Sequence, residues 1–266
     1  MTPTRRSAPC GRTSVADRAL ELVMDCGQAM LANGGEVFRA QDTMEIMARS
    51  LGITDFQVYV LTNGIFASAK GGTISAVRHV PSFSTNLGRV EAINAISRKV
   101  ADGELDLSGA ECELHRALDT PVFSNRTEHL ASLMGSGCFA FLFGGGPAEM
   151  LVSCLAGALE SIIVKRFAHH HMSRIFTDIL AALSCTMLAH IAHRFYAPLN
   201  VNVSIIGALM VLTPGVSLTM AIRDIINADY LSGTIRLFDA LLVAGCLAAG
   251  VSLGYLLMQG IMGVIA

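Results

Sequence analysis

Ionisable side chains are sparse in the second half of this sequence, and Glu160, Asp178, Arg223 and Asp224 fall within or beside apolar runs. A charge at membrane depth is costly, so it is kept where it pairs or lines a route for a small molecule or ion. Glu149 reads as interfacial, while Asn202 and Ser204 add polar atoms at the start of a later run. Asp178 lies about one turn from Arg174, so a boundary ion pair competes there with a binding role. Thr213-Pro214-Gly215-Val216 interrupts an apolar run. Proline removes an amide donor and clashes with the preceding turn, so the helix is expected to break or kink there. Broken helices expose backbone dipoles that hold anionic or zwitterionic groups at mid-membrane; a purely structural kink is the alternative. Pro214 and Asp224 are ten residues apart, roughly 15 Å if the chain between them is helical, so break and carboxylate are expected to serve one site.

Nearer the N-terminus, Glu36, Arg39 and Asp42 occupy neighbouring turns of one helix, an arrangement that suits a carboxylate ligand. A solvated face with i,i+3 ion pairs is the simpler reading. His169-His170-His171, beside Lys165 and Arg166, reads as an interfacial cationic turn rather than a metal site, because adjacent helical positions point in three directions. His190 and His193 form an i,i+3 pair that suits either proton sensing or a wet interface. The sequence lacks G-x-S-x-G, a glycine-rich phosphate loop and H-E-x-x-H, so no catalytic residue, metal or cofactor is expected. Seven cysteines without C-x-x-C spacing read as reduced, mostly buried thiols.

The elements that must position these groups follow from composition. Of 266 residues 52% are hydrophobic and 15% charged, against about 25% charged in an ordinary soluble domain. Of the 40 Asp, Glu, Lys and Arg residues, 27 precede Glu128, which divides the chain into a domain at 1–127 and an apolar part at 128–266. A net charge of -2 offers no basic surface for nucleic acid. In the first part, helical spacing from Ser14 to Met30 stops at Asn33-Gly34-Gly35, and a second helix over Glu36–Ser50 stops at Gly52. Phe56–Leu61, Gly64–Ala69 and Thr73–Val77 read as a strand meander, and Leu87–Val100 and Leu107–Leu118 return to helix. This is an α+β domain, expected in the cytoplasm.

Five apolar segments follow, Leu130–Phe143, Met150–Val164, Ile175–Ile191, Val201–Ala221 and Leu237–Ile265, so the fold class is an α-helical integral membrane protein with about five transmembrane helices. Lys165, Arg166 and Arg174 lie between the second and third, and Arg223 and Arg236 between the fourth and fifth. That pattern keeps the N-terminal domain inside and puts the C-terminus outside a bacterial inner membrane. Glycine series such as Gly245, Gly250 and Gly254 mark close helix contacts.

Two blocks carry a family resemblance. Gly34-Gly35-Glu36-Val37-Phe38-Arg39-Ala40-Gln41-Asp42-Thr43-Met44, ending at Leu51-Gly52, resembles the opening motif of the threonine/serine exporter family. Thr213-Pro214-Gly215-Val216, Arg223-Asp224, Asp229-Tyr230-Leu231-Ser232-Gly233 and Arg236 resemble its proline-glycine and aspartate signature. Phe143-Gly144-Gly145 with Glu149 looks like the end of its first span, where the acidic residue is more often aspartate. Single-chain members carry a second membrane block, so the resemblance implies the N-terminal half of a split exporter, a type linked to succinate export. It implies proton-driven export of a small carboxylate-bearing metabolite, a second small membrane protein as partner, and homo-oligomers in the lipid bilayer. A membrane-anchored hydrolase and a non-transporting accessory or sensory protein are the competing readings.

Overall fold

The computed structural model describes residues 15–69, 74–80, 86–119, 123–169 and 172–265. By packing, the chain divides into two units, Met1–Val122 with Met220–Ile235, and Phe123–Thr219 with Arg236–Ala266.

The first unit runs α1 (Val15–Ala32), α2 (Val37–Ser50), β1 (Gln57–Leu61), β2 (Gly64–Ala69), β3 (Ile74–His79), α3 (Leu87–Ala101) and α4 (Leu107–Asp119). These elements fall close to where the periodicity places them, with β3 running two residues past the expected end at Val77; the expected first residue of that strand, Thr73, lies outside the described residues. The sheet is an antiparallel meander in the order β1-β2-β3. Its register puts Val60 opposite Ile65, and both are buried. The alternate row, Tyr59, Phe66 and Val77, faces outward. Met24, Met30, Met44, Met47, Ile65 and Ile93 lie in one core, the large apolar residues inward as in a protein folded in water.

Among the described residues, five helices end in the same hydrogen-bonded turn. After α1, Gly34 N donates to Leu31 O at 3.1 Å and Gly35 N to Met30 O at 2.8 Å, the paired bonds of a Schellman motif. Gly52, Gly103 and Gly144 hold the equivalent position of three more, each with φ between +73° and +84°. A glycine reaches this left-handed region without a Cβ clash. The fifth, after Asp224 and Ile225, has Ala228 there at φ 66°.

The second unit holds α5 (Asn125–Leu142), α6 (Pro147–His169), α7 (Arg174–Phe195), α8 (Val201–Leu209), the start of α9 (Gly215–Ile226) and most of α10 (Tyr230–Ile265). Its packing is inverted. Ala156, Ala182, Cys185, Ala189 and Ala208 are buried, whereas Phe141, Leu142, Leu151, Leu241 and Leu256 are 61–73% exposed. Small residues inside and large apolar ones outside is the pattern of helices packed in lipid. A Cβ on Gly250 of α10 would strike the Ile179 carbonyl of α7, and one on Gly254 would meet Thr186; Gly245 faces open space.

Of the five apolar segments, three become single helices long and apolar enough to cross a membrane, Pro147–Phe167, Arg174–Phe195 and Tyr230–Gly260. The other two differ for physical reasons. The 18 residues of α5 begin with Asn125-Arg126-Thr127-Glu128-His129, which shortens its apolar stretch. The fourth segment is broken into α8, of 9 residues, and α9, of 12.

Candidate functional site

Glu36 is set by the turn before it. Gly34 bends the chain, and a Cβ on Gly35 would sit 2.8 Å from the Met30 carbonyl oxygen, so this Gly-Gly pair delivers Glu36 to the start of α2. Glu36 is the N-cap residue of α2, but its side chain makes no capping bond. Its carboxylate reaches Arg223 instead, with Nη1 donating to Oε1 at 2.7 Å, and Arg39 Nε lies 3.7 Å from Oε2. Glu36 is 8% exposed, whereas both arginines are about half exposed. One largely buried carboxylate thus holds two accessible guanidinium groups, a net positive centre suited to a visiting carboxylate. The structure brings Glu36, Arg39 and Arg223 together; Asp42 stays exposed on α2.

Asp224 follows Arg223 and is 1% exposed in the last turn of α9. Pro214 stands before the first residue of the same helix, so the 12 residues of α9 set the proline and the aspartate at its opposite ends. The break itself is tight. Thr213 N donates to Leu209 O at 3.1 Å, Thr213 Oγ1 to Met210 O at 2.6 Å, and α9 restarts with Leu218 N on Pro214 O at 2.9 Å. A Cβ on Gly215 would meet nothing within 4 Å, so no close neighbour demands glycine there.

Glu160 sits on α6 at 1% exposure. Ser132 of α5 lies 3.5 Å from its Oε1, and Cys185 of α7 donates through Sγ at 3.8 Å to Oε2. Ser132 Oγ has its shorter bond, 2.8 Å, to the Gly157 carbonyl. Among the described residues Glu160 belongs to no ion pair. A hydroxyl and a thiol are the groups that meet this carboxyl at the junction of the three helices.

Asp178 is half of a boundary pair. Arg174 Nε lies 3.7 Å from Asp178, and the same guanidinium is 3.7 Å from Asp239 of α10. Glu149 has a bracing role that charge alone does not reveal. Its Oε2 accepts from Gly146 N and its Oε1 from Asn200 N, each at 2.8 Å, so one carboxylate satisfies the residues that immediately precede α6 and α8. His193 Nδ1 lies 2.9 Å from the Leu199 carbonyl oxygen, and His190 stacks edge-on to Tyr255. The side chains of His169-His170-His171 lie outside the described residues. Among the described residues no group of three or more His, Cys, Asp and Glu is placed to hold a metal ion.

Helices with small residues inside and bulky apolar residues outside are consistent with a helical membrane protein. The chain belongs to the threonine/serine exporter family, whose family model matches residues 21–258. It is similar to the threonine/serine exporter of Corynebacterium glutamicum, 21% identical over 261 residues that cover 96% of this chain and 53% of that protein. It is also similar to a probable threonine/serine exporter of Mycobacterium tuberculosis, 23% identical over 244 residues, covering 88% of this chain and 45% of that protein. The chain therefore spans about half the length of the curated relatives it matches. No solved structure shows a significant match. The family is one of transporters, which are generally not enzymes.

Proposed function

We propose that this chain is one component of a secondary exporter of small carboxylate metabolites, threonine and serine or a dicarboxylate such as succinate, driven by the proton gradient. The observation that carries this reading is Glu160, a buried carboxyl with no cationic partner among the described residues, placed where α5, α6 and α7 meet. It takes a proton on one side of the membrane and releases it on the other, and its charge state decides whether the surrounding helices can pack closed. A substrate carboxylate competes with Glu36 for Arg223, which links arrival of substrate to release of that ion pair. The N-terminus of α9 at Pro214-Gly215 offers the positive end of its backbone dipole to the passing carboxylate. Asp224 carries a proton or exchanges cationic partners during gating, and the Asp178–Arg174–Asp239 group moves with α7 and α10.

In this reading the chain crosses the bacterial inner membrane five times with its N-terminal unit in the cytoplasm. The support is the clustering of Lys165, Arg166 and Arg174 at the facing ends of α6 and α7, and of Arg223 and Arg236 at the facing ends of α9 and α10. A second small membrane protein supplies what the matched half of each relative lacks, and self-association covers the polar residues of a thin bundle. Efflux of labelled succinate, threonine and serine from cells with and without this protein and its partner tests the reading. Faster loss of at least one of them is expected; equal loss of all three would end it.

A further inference from the structure

The sheet of the first unit turns Val58, Val60, Ile65, Ala67 and Ala76 toward the core. Alternation sends Tyr59, Phe66 and Val77 to the other face, where the register sets them side by side across β1, β2 and β3. They are 55%, 47% and 63% exposed. The outer face of a half-buried antiparallel sheet is ordinarily polar, whereas two aromatic rings and a valine in cross-strand contact gain by being covered.

The shape of this face is self-complementary. The next row along the strands is Gln57, Ser68 and Ser75, also set side by side. Its serines are short, so a ridge of large side chains runs beside a lower row, with a trough of about 360 Å³ lined by both. A two-fold axis lying across the strands, between the two rows, exchanges ridge and low row. Phe66 then lies over Ser68 of a second copy, Tyr59 over its Gln57 and Val77 over its Ser75, and the two copies of Phe66 straddle the axis.

The charge of the face points the same way. Among the described strand residues the one Asp, Glu, Lys or Arg is Arg78, which stands opposite Ile65 on the core side and lies 3.6 Å from Asp25 of α1. A face without formal charge offers nothing to an acidic or basic partner, nor to anionic lipid headgroups, which select Lys and Arg. It suits its own image, because any charge near a two-fold axis meets its like. The contact is small. Strand spacing and rise make the face roughly 14 by 20 Å, against about 800 Å² a side for a complex stable in dilute solution. Copies held in one bilayer meet at a higher effective concentration, which offsets that difference; this step rests on the membrane reading.

We propose that the outer face of β1, β2 and β3 is a homodimer contact, in which two copies of the chain pack sheet on sheet and bury Tyr59, Phe66 and Val77. It gives self-association a surface in the first unit, separate from any contact between the apolar helices.

Site-specific cross-linking in membranes tests this. p-Benzoylphenylalanine replaces Tyr59 in the full chain, two differently tagged copies are produced together, and ultraviolet light joins the benzophenone to whatever lies against it. An adduct of twice the chain mass carrying both tags is expected. Phe66→Lys or Phe66→Asp in both copies should cut its yield at least about tenfold, since like charges are then buried on both sides of the axis. One copy of each variant should restore at least about half of it, because the charges are now opposite. If either Phe66 variant is poorly inserted, Val77→Lys and Val77→Asp, at a more exposed position, take their place. Absence of the two-tag adduct, an adduct to lipid or to a different protein in its place, or a yield indifferent to the charged variants would each overturn the contact. So would a mixed pair no better than either variant alone. Efflux is no part of this readout: a chain that exports nothing would still give the adduct, and an exporter without the adduct would lose only this contact.

Discussion

Arg223 Nη1 donates to Glu36 Oε1 at 2.7 Å, joining residues 187 positions apart that belong to the two family motifs. The pair accounts for a feature of each motif. Gly34-Gly35 aims the glutamate away from its own helix start, and α9 presents an arginine to receive it. If export requires this pair to open and close, Glu36→Gln and Arg223→Gln should each reduce efflux by about tenfold or more. The double variant should be no worse than the more damaged single one, the mark of two groups acting as a unit. Losses that multiply in the double variant would show that the two residues act independently.

Asp224 is buried at the end of α9, beside the arginine that holds Glu36. Asp224→Asn is expected to abolish efflux while membrane abundance stays normal, measured on the same cells. A purely structural aspartate would instead give a poorly inserted or rapidly degraded protein. Full abundance with normal efflux would remove Asp224 from the site.

Pro214 separates α8 from α9, and Thr213 already closes the end of α8 with its hydroxyl on the Met210 carbonyl. Pro214→Ala restores an amide donor and permits a continuous helix. If the exposed dipoles hold the substrate, efflux should fall at least about tenfold with little change in thermal stability. Unchanged efflux would make the break an architectural kink.

Ala228 occupies the left-handed position that glycine fills at the ends of α1, α2, α3 and α5. That conformation costs a residue with a Cβ roughly 1–2 kcal/mol, partly offset by the greater chain entropy of glycine. Ala228→Gly should therefore stabilise the protein by about 1 kcal/mol and raise the unfolding temperature in detergent. The reverse change at Gly34, Gly34→Ala, should lower it. A lower unfolding temperature for Ala228→Gly would contradict this account of the turn.

Local chemistry was legible in the sequence wherever one short stretch decides the outcome. Glycines at the helix ends, alternation in the strands and the proline at 214 each act within a few residues, and those elements lie where their patterns place them. Glu149 carried a readable signal that charge alone obscured. A glutamate three residues after Gly146 and two after Pro147 is the reciprocal half of a capping box, and it caps as expected of one. Partners across the fold were not legible. Nothing in the spacing of Ser132, Glu160 and Cys185 announces that three helices bring them together, nor that Arg223 chooses Glu36 rather than a nearer acid. Span number was obscured by chemistry at the ends of segments: the polar first turns of α5 and the break between α8 and α9 leave three uninterrupted apolar helices where hydropathy alone marks five runs.

The most direct test of proton-coupled export is efflux of labelled threonine, serine and succinate under an imposed pH gradient, compared between the wild-type chain and Glu160→Gln, each with the proposed membrane partner. The wild type should drive at least one substrate outward with the gradient. Glu160→Gln should lose that gradient-driven efflux, at least about tenfold, yet still exchange labelled for unlabelled substrate at normal membrane abundance, because the glutamine fills the same space without a titratable proton. Gradient-driven efflux that survives in Glu160→Gln would contradict the assignment of Glu160, and a wild-type chain that moves none of the three substrates would contradict the exporter itself.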